Sequence, residues 1–229
     1  IINGAMQVNQ RGDAGATTST GFKGPDRFGI FHSGFTGSDP AMIYTSPDLA
    51  AAGPDGIRNS YKLAFNPSNN VTSVGANDNL YFRTIIEAQD LQHLQYGNAS
   101  AKDITLSFYV KTNMNTGGAN TFSVSARTPD GSDRNIGTTY TAADSNWNRY
   151  TWTIPGDTTG QIDNNNDRGI IIQWKIVSGS DFTSVANTSW ASHANNRDSP
   201  GHTANILGVD GQTWEITGKE QNSKSGVIS

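Results

Sequence analysis

Glycoside hydrolysis needs an acid and a base on either side of the scissile bond, and Glu87 and Asp90 come nearest to such a pair of carboxylates in this chain. Glu87, however, ends an apolar run that reads as a strand, and Asp90 opens a helical turn, where a carboxylate caps free backbone N–H groups. His193, Asp198 and His202 lie close together in sequence and offer the imidazole and carboxylate ligands that divalent metals take. Such trios arise by chance in an Asn-rich stretch, and a solvated loop is the simpler reading. Asp163–Asp167 (DNNND) begins like a calcium loop, but the glycine needed for the sharp turn comes late, at Gly169, and no Glu closes it. A turn between strands accounts for that segment. No Gly-x-Ser-x-Gly elbow occurs, and zero Cys removes a thiol nucleophile and a Cys-based zinc site. These residues assemble no catalytic constellation and require no cofactor, so a protein that is not an enzyme is expected.

Binding chemistry is better represented. An aromatic face stacks on the apolar face of a sugar ring, while amides, carboxylates and guanidinium groups satisfy its hydroxyls. Period-two alternation turns Tyr109, Arg127, Gln173 and Lys175 outward from central strands, and His193, Asn195, Asn196 and Arg197 stand in the long loop that would rim them. These eight residues are the candidate glycan site. Trp152 and Trp174 fall on the inward face and belong to the core. Trp147 reads as an edge plug and Trp190 as an anchor for the long loop.

The elements that must hold these residues are strands. Only 16% of the 229 residues are charged and 34% are hydrophobic. Gly, Ser, Thr and Asn fill much of the remainder, and these types weaken helix interiors. Arg58–Asn66, Leu80–Glu87, Ile104–Lys111, Phe122–Ala126, Ile136–Thr141, Tyr150–Ile154, Ile170–Val177 and Trp214–Thr217 alternate or run apolar as strands do. Asp90–Tyr96, with Leu91 and Leu94 three apart, suggests a short helical turn. The expected fold is all-β, a jelly-roll-like sandwich of two antiparallel sheets. Its core draws on Ile104, Leu106, Phe108, Val110, Phe122, Val124, Tyr150, Trp152, Ile154, Ile170, Ile172 and Trp174. Residues 1–30 read as an irregular leader, 31–218 as the sandwich and 219–229 as a polar tail. The net charge of −4 and the lack of any basic run disfavour a nucleic-acid reader. No apolar stretch approaches the roughly 20 residues of a membrane span. The chain opens at Ile1 without a Met, which suggests an upstream piece.

Several segments, in order, carry a family resemblance: Ile2-Asn3-Gly4-Ala5-Met6-Gln7-Val8 with Gln10-Arg11-Gly12, Asp26-Arg27-Phe28, Leu94–Lys111, Asn146-Trp147 through Ile154–Gly160, Asp167-Arg168-Gly169-Ile170, Asn187–Trp190 and Trp214–Gly218. The set resembles bacteriophage virion proteins, tail-fibre or other structural proteins with a jelly-roll domain similar to carbohydrate-binding modules. The chain departs from that pattern at Phe28, where Trp is usual, and at Lys219–Asn222, where an apolar segment is usual.

The resemblance implies a structural protein of the phage particle, a tail fibre, appendage or capsid decoration, that attaches to host surface glycan. The competing expectations are a purely architectural subunit and, at lower weight, a polysaccharide depolymerase. Partners implied are other virion proteins and further copies of the chain, with a homotrimer held partly by residues 1–22. Carbohydrate-binding modules of this shape also make a structural calcium admissible. Arg11-Gly12-Asp13 and the sequons at Asn70, Asn98 and Asn187 are compositional coincidences in a chain of this makeup.

Overall fold

The computed structural model describes residues 3–17, 20–35, 42–45, 47, 49, 53–65, 73–113, 120–142, 145–183, 187–193, 198–204 and 212–218. Among them are twelve strands: β1 (Ala14–Thr17), β2 (Phe28–Ser33), β3 (Met42–Thr45), β4 (Tyr61–Phe65), β5 (Asn79–Glu87), β6 (Ile104–Thr112), β7 (Asn120–Thr128), β8 (Arg134–Ala142), β9 (Asn148–Ile154), β10 (Arg168–Ser178), β11 (Ala191–Ser192) and β12 (Thr213–Thr217). They form two antiparallel six-stranded sheets, ordered β1-β3-β4-β12-β6-β9 and β11-β8-β7-β10-β5-β2. The expected jelly-roll-like sandwich is the observed architecture. Asn, Ser, Thr and Gly sit in its turns, and the β-branched and aromatic residues sit in its pleats.

Alternation sends one face of every strand inward, and the two inward faces meet on aromatic rings. Phe82 of β5 is their hub. Its ring stacks on Phe28 of β2 at 5.2 Å and on Tyr61 of β4 at 4.6 Å, and it meets Trp174 of β10 at 5.8 Å and Trp214 of β12 at 5.7 Å. Both sheets are thereby locked through one side chain, at about 0.5–1.5 kcal/mol per ring pair beyond the area buried. Of the residues expected in the core, Leu106, Phe108, Val110, Phe122, Val124, Ile154, Ile170, Ile172 and Trp174 are buried. Ile104, Tyr150 and Trp152 pack against the core while half-buried. The reason is position: Tyr150 and Trp152 lie on β9, the edge strand of the first sheet, and Ile104 opens β6 beside it.

The leader is more ordered than its composition suggests. Residues Ala14–Thr17 pair with β3, Gly21 bridges to Ile30, and Met6, 2% exposed, joins the core. The Asn3 side chain ties the segment down, donating to Val8 O at 2.9 Å and Asp26 O at 3.0 Å and accepting from Val8 N–H at 2.9 Å. The helical turn is a 3₁₀ turn at Ala88–Leu94 with Ala88, Leu91 and Leu94 buried. Gly169 in β10 lets the two elements touch, since a Cβ there would stand 2.5 Å from Ala88 Cα.

Candidate functional site

The outer face of the second sheet gathers polar and aromatic side chains in three cross-strand rows. In the middle row Gly29, Arg83, Gln173, Ser125 and Gly137 stand side by side on β2, β5, β10, β7 and β8. Both glycines are roofed by backbone or ring: a Cβ on Gly29 would meet Gly21 O at 2.6 Å, and one on Gly137 would meet the Pro200 ring at 2.9 Å. Between these two walls Ser125 and Gln173 are buried, and Arg83 Nε, Gln173 Oε1 and Ser125 Oγ have no hydrogen-bond partner among the described residues. Buried polar atoms are paired in the great majority of cases, so a row of three unpaired ones is unusual.

The second row is aromatic and leads out to solvent. Phe31 of β2 is in register with Tyr81 of β5, ring centroids 5.9 Å apart and nearly parallel, and Phe22 meets Phe31 edge-on at 5.6 Å. Phe22 is 39% exposed. Arg83 lays its guanidinium 3.7 Å from the Phe31 centroid, a cation–π arrangement. Burial lifts the Tyr81 hydroxyl above the usual phenol range, so it is protonated at neutral pH and can donate. In the third row Ile85, Ile171, Arg127 and Asn135 align. Arg127 grips Asp133 with both arms, at 2.7 and 2.6 Å. Burial raises the Asp133 carboxyl, but the Arg127 hydrogen bonds and charge outweigh it and leave the group below its ordinary value. His193 approaches the same carboxylate at 3.5 Å, and burial first, then the Arg127 charge, keeps its imidazole less basic than usual.

Lys175 lies deeper than a ligand-contacting residue should. It is fully buried, its ammonium 2.7 Å from Asp198 and 4.5 Å from the Tyr81 centroid, with Phe182 of the helical turn Ser180–Thr183 above it. Burial lowers its pKa and Asp198 opposes that. The pair props Tyr81 from behind and closes the upper end of the face.

Arg127, Gln173, Lys175 and His193 therefore belong to one sheet and its rim, and Tyr109 does not. Tyr109 belongs to β6 in the first sheet, so its outward direction leads away from the other three strands' outer face. It is buried, and its hydroxyl donates to Asp55. Period two states that a residue faces out but not from which sheet. The ring that takes Tyr109's place is Tyr81, legible as outward from the inward Leu80 and Phe82 on either side. Asn195, Asn196 and Arg197 lie outside the described residues. Glu87 is engaged by Arg27 at 3.7 Å, and Asp90 sits in the first turn of the 3₁₀ segment. His202 accepts from Ser123 N–H and Asp198 binds Lys175, so the sequence trio is split among separate partners. Among the described residues no group of three or more His, Asp or Glu could hold a metal. Asn165 closes the 163–167 segment as a turn, accepting from Asp167 N–H at 2.8 Å.

Fold and face together define an all-β sandwich with an aromatic and arginine-lined patch on one sheet. No protein-family model matches the chain. No curated protein matches it. Among solved structures it is similar to a CBM4 structure, at 11% identity over 80% of this chain and 86% of that one with a TM-score of 0.34. It is also similar to the xylan-binding domain from CBM 22, at 10% identity over 91% and 92% with a TM-score of 0.39. A family 16 carbohydrate binding module-2 aligns at 9% identity over 80% and 84% with a TM-score of 0.33.

Proposed function

We propose that this chain is a non-catalytic glycan-binding module whose site is the outer face of the second sheet. One observation carries the reading: Phe22, Phe31 and Tyr81 form a ring ladder beside a row of buried polar atoms, on Arg83, Gln173 and Ser125, that lack hydrogen-bond partners. A sugar ring stacks on the ladder with its apolar face, and its hydroxyls meet Arg83, the half-buried member of the polar row, with Gln173 and Ser125 beneath it. Arg127, Asp133 and His193 form the rim, and Lys175 acts from beneath, as support for Tyr81. The ordered sequence segments shared with phage virion proteins support display on a phage particle, as tail fibre, appendage or capsid decoration, with host surface glycan as the target. Val8, at 46% exposure, is a large apolar side chain left on the leader's surface away from the ring ladder; it supports contact with further copies of the chain, as a trimer, or with other virion proteins.

A glycan array probed with the purified protein tests the binding. Tyr81→Ala should abolish array signal and Tyr109→Ala should leave it unchanged. If both variants bind like the parent, the site is misplaced. If the parent binds no glycan and Phe22→Ser dissociates an oligomer, the face is an assembly surface instead.

A further inference from the structure

The patch holds more positive charge than a neutral sugar requires. Arg11 is paired with Asp26, Arg27 with Glu87 and Arg127 with Asp133. Arg83 and Arg168 form no ion pair with any described residue. Both belong to one end of the face: Arg83 stands two residues from Tyr81 on β5, and exposed Arg168 heads β10 in register with Glu87, four residues beyond Arg83. Ile85 lies between them. There a cleft of about 420 Å³ opens, lined by Arg11, Arg27 and Arg168, by the carboxylates Glu87 and Asp167, and by Phe22 and Ile85; Arg83 stands beside it rather than in its lining, its guanidinium 5.7 Å from the Phe22 ring centroid. Its size is within the range of about 300–1,000 Å³ usual for small-ligand sites. Phe22 borders the cleft and also ends the ring ladder, so sugar stacking and the cleft are continuous. Burial weakens the hold of Arg83 on its proton and the Arg168 and Arg127 charges weaken it further, while Tyr81, by its charge and a hydrogen bond, opposes them; an anion placed among the arginines acts in the same sense as Tyr81.

We infer that the glycan is acidic and that a carboxylate or sulfate on one of its sugars docks between Arg83 and Arg168 at the mouth of this cleft. This rests on the glycan-binding reading above. A nucleic acid fits less well. It presents a phosphate at every residue and needs an unbroken cationic track, whereas Asp26, Glu87, Asp133 and Asp167 interrupt this one. An acidic polysaccharide has wider-spaced anions separated by hydroxyls, which suits two arginines that form no ion pair among the described residues and stand among carboxylates and amides. The bidentate geometry of guanidinium suits both carboxylate and sulfate oxygens.

Isothermal titration of the full chain against four polymers tests the inference: polygalacturonate, the same polymer with its carboxyls reduced to alcohols, dextran sulfate and oligothymidylate. The expected result is binding to an acidic polymer at least about tenfold tighter than to the reduced one, from charge-assisted hydrogen bonds of about 1.5–3 kcal/mol. Preference between polygalacturonate and dextran sulfate then identifies the anion. Arg168→Gln should remove about tenfold of the acidic affinity and leave the reduced polymer unaffected, whereas Arg83→Gln should weaken both polymers and the acidic one by about tenfold more, with melting temperature confirming that both variants fold. Equal affinity for native and reduced polymer, with Tyr81→Ala weakening both, overturns the acidic assignment and leaves the glycan site standing. No binding to any polysaccharide removes both. Tighter binding to oligothymidylate than to either acidic polymer overturns the inference in favour of nucleic acid.

Discussion

Protonating His202 should destabilise this protein in a defined pH window. The imidazole is 6% exposed and lies over the second sheet, where its Nδ1 accepts a hydrogen bond from Ser123 N–H at 3.1 Å. A proton on Nδ1 would cancel that bond and add a buried charge near Lys175. Burial, with the Lys175 charge opposing protonation as well, holds the folded pKa down at about 4 against an ordinary 6.5. Above pH 6.5 neither folded nor unfolded chain binds this proton, and stability is unaffected. As pH falls below 6.5 the unfolded chain takes up the proton and the folded chain does not, so stability drops until the folded pKa is reached near pH 4. The gap, at about 1.36 kcal/mol per pH unit, amounts to about 3 kcal/mol, a large part of the 5–15 kcal/mol usual for a domain. Urea unfolding at half-unit steps from pH 8 to 5 measures it cleanly, since most carboxylates titrate lower. By pH 5 the parent should have lost up to about 2 kcal/mol more than His202→Asn, whose side-chain oxygen still accepts from Ser123. His193 is also depressed and contributes equally to both proteins, so it cancels in the difference. Parallel curves for parent and variant would refute the claim that His202 is buried and neutral.

Lys175→Ala should cost about 3–5 kcal/mol in urea unfolding, because it leaves the Asp198 carboxylate buried without its counter-charge. Adding Asp198→Asn to Lys175→Ala should recover more than half of that loss, and failure to recover would mean that packing rather than charge dominates there. Trp214→Ala, removing a fully buried ring, should destabilise by about 3–5 kcal/mol. Trp152→Ala, on the edge strand, should cost less than half as much, and equal melting-temperature shifts for the two would contradict the burial difference.

Strands with clean alternation were legible from sequence alone. Ile104–Thr112 and Arg168–Ser178 each expose one face to a rich apolar core, so period two marks them plainly. Phe28–Ser33 and Met42–Thr45 were not, since one is short with Gly29 inside it and the other is four residues long; pairing to β5 and β4 defines them. The candidate site was legible in part for the same reason. Alternation selected Arg127, Gln173 and Lys175 correctly as outward-facing. It could not assign Tyr109 and Arg127 to different sheets, because strand order is set by contacts far apart in sequence. Nor could it show that Lys175, outward by pattern, is roofed by Phe182 and Asp198. Tyr81 and Arg83 alternate outward as well, but a strand this apolar reads as covered on both sides, so the pair was not singled out.

The place of β12 bears on how the chain comes to be folded. This strand, near the end of the sequence, lies between β4 and β6 in the middle of the first sheet and delivers Trp214 to the Phe82 hub. During synthesis, β1-β3-β4 and β6-β9 must therefore wait as two ribbons, each presenting an open edge of unpaired N–H and C=O groups. Such edges recruit strands from other chains, and pairings this distant in sequence form slowly. The protein should acquire protease resistance only after Thr217 has cleared the ribosome. A nascent chain stalled or cleaved before Thr213 should aggregate through β4 and β6, even though it already holds all six strands of the second sheet.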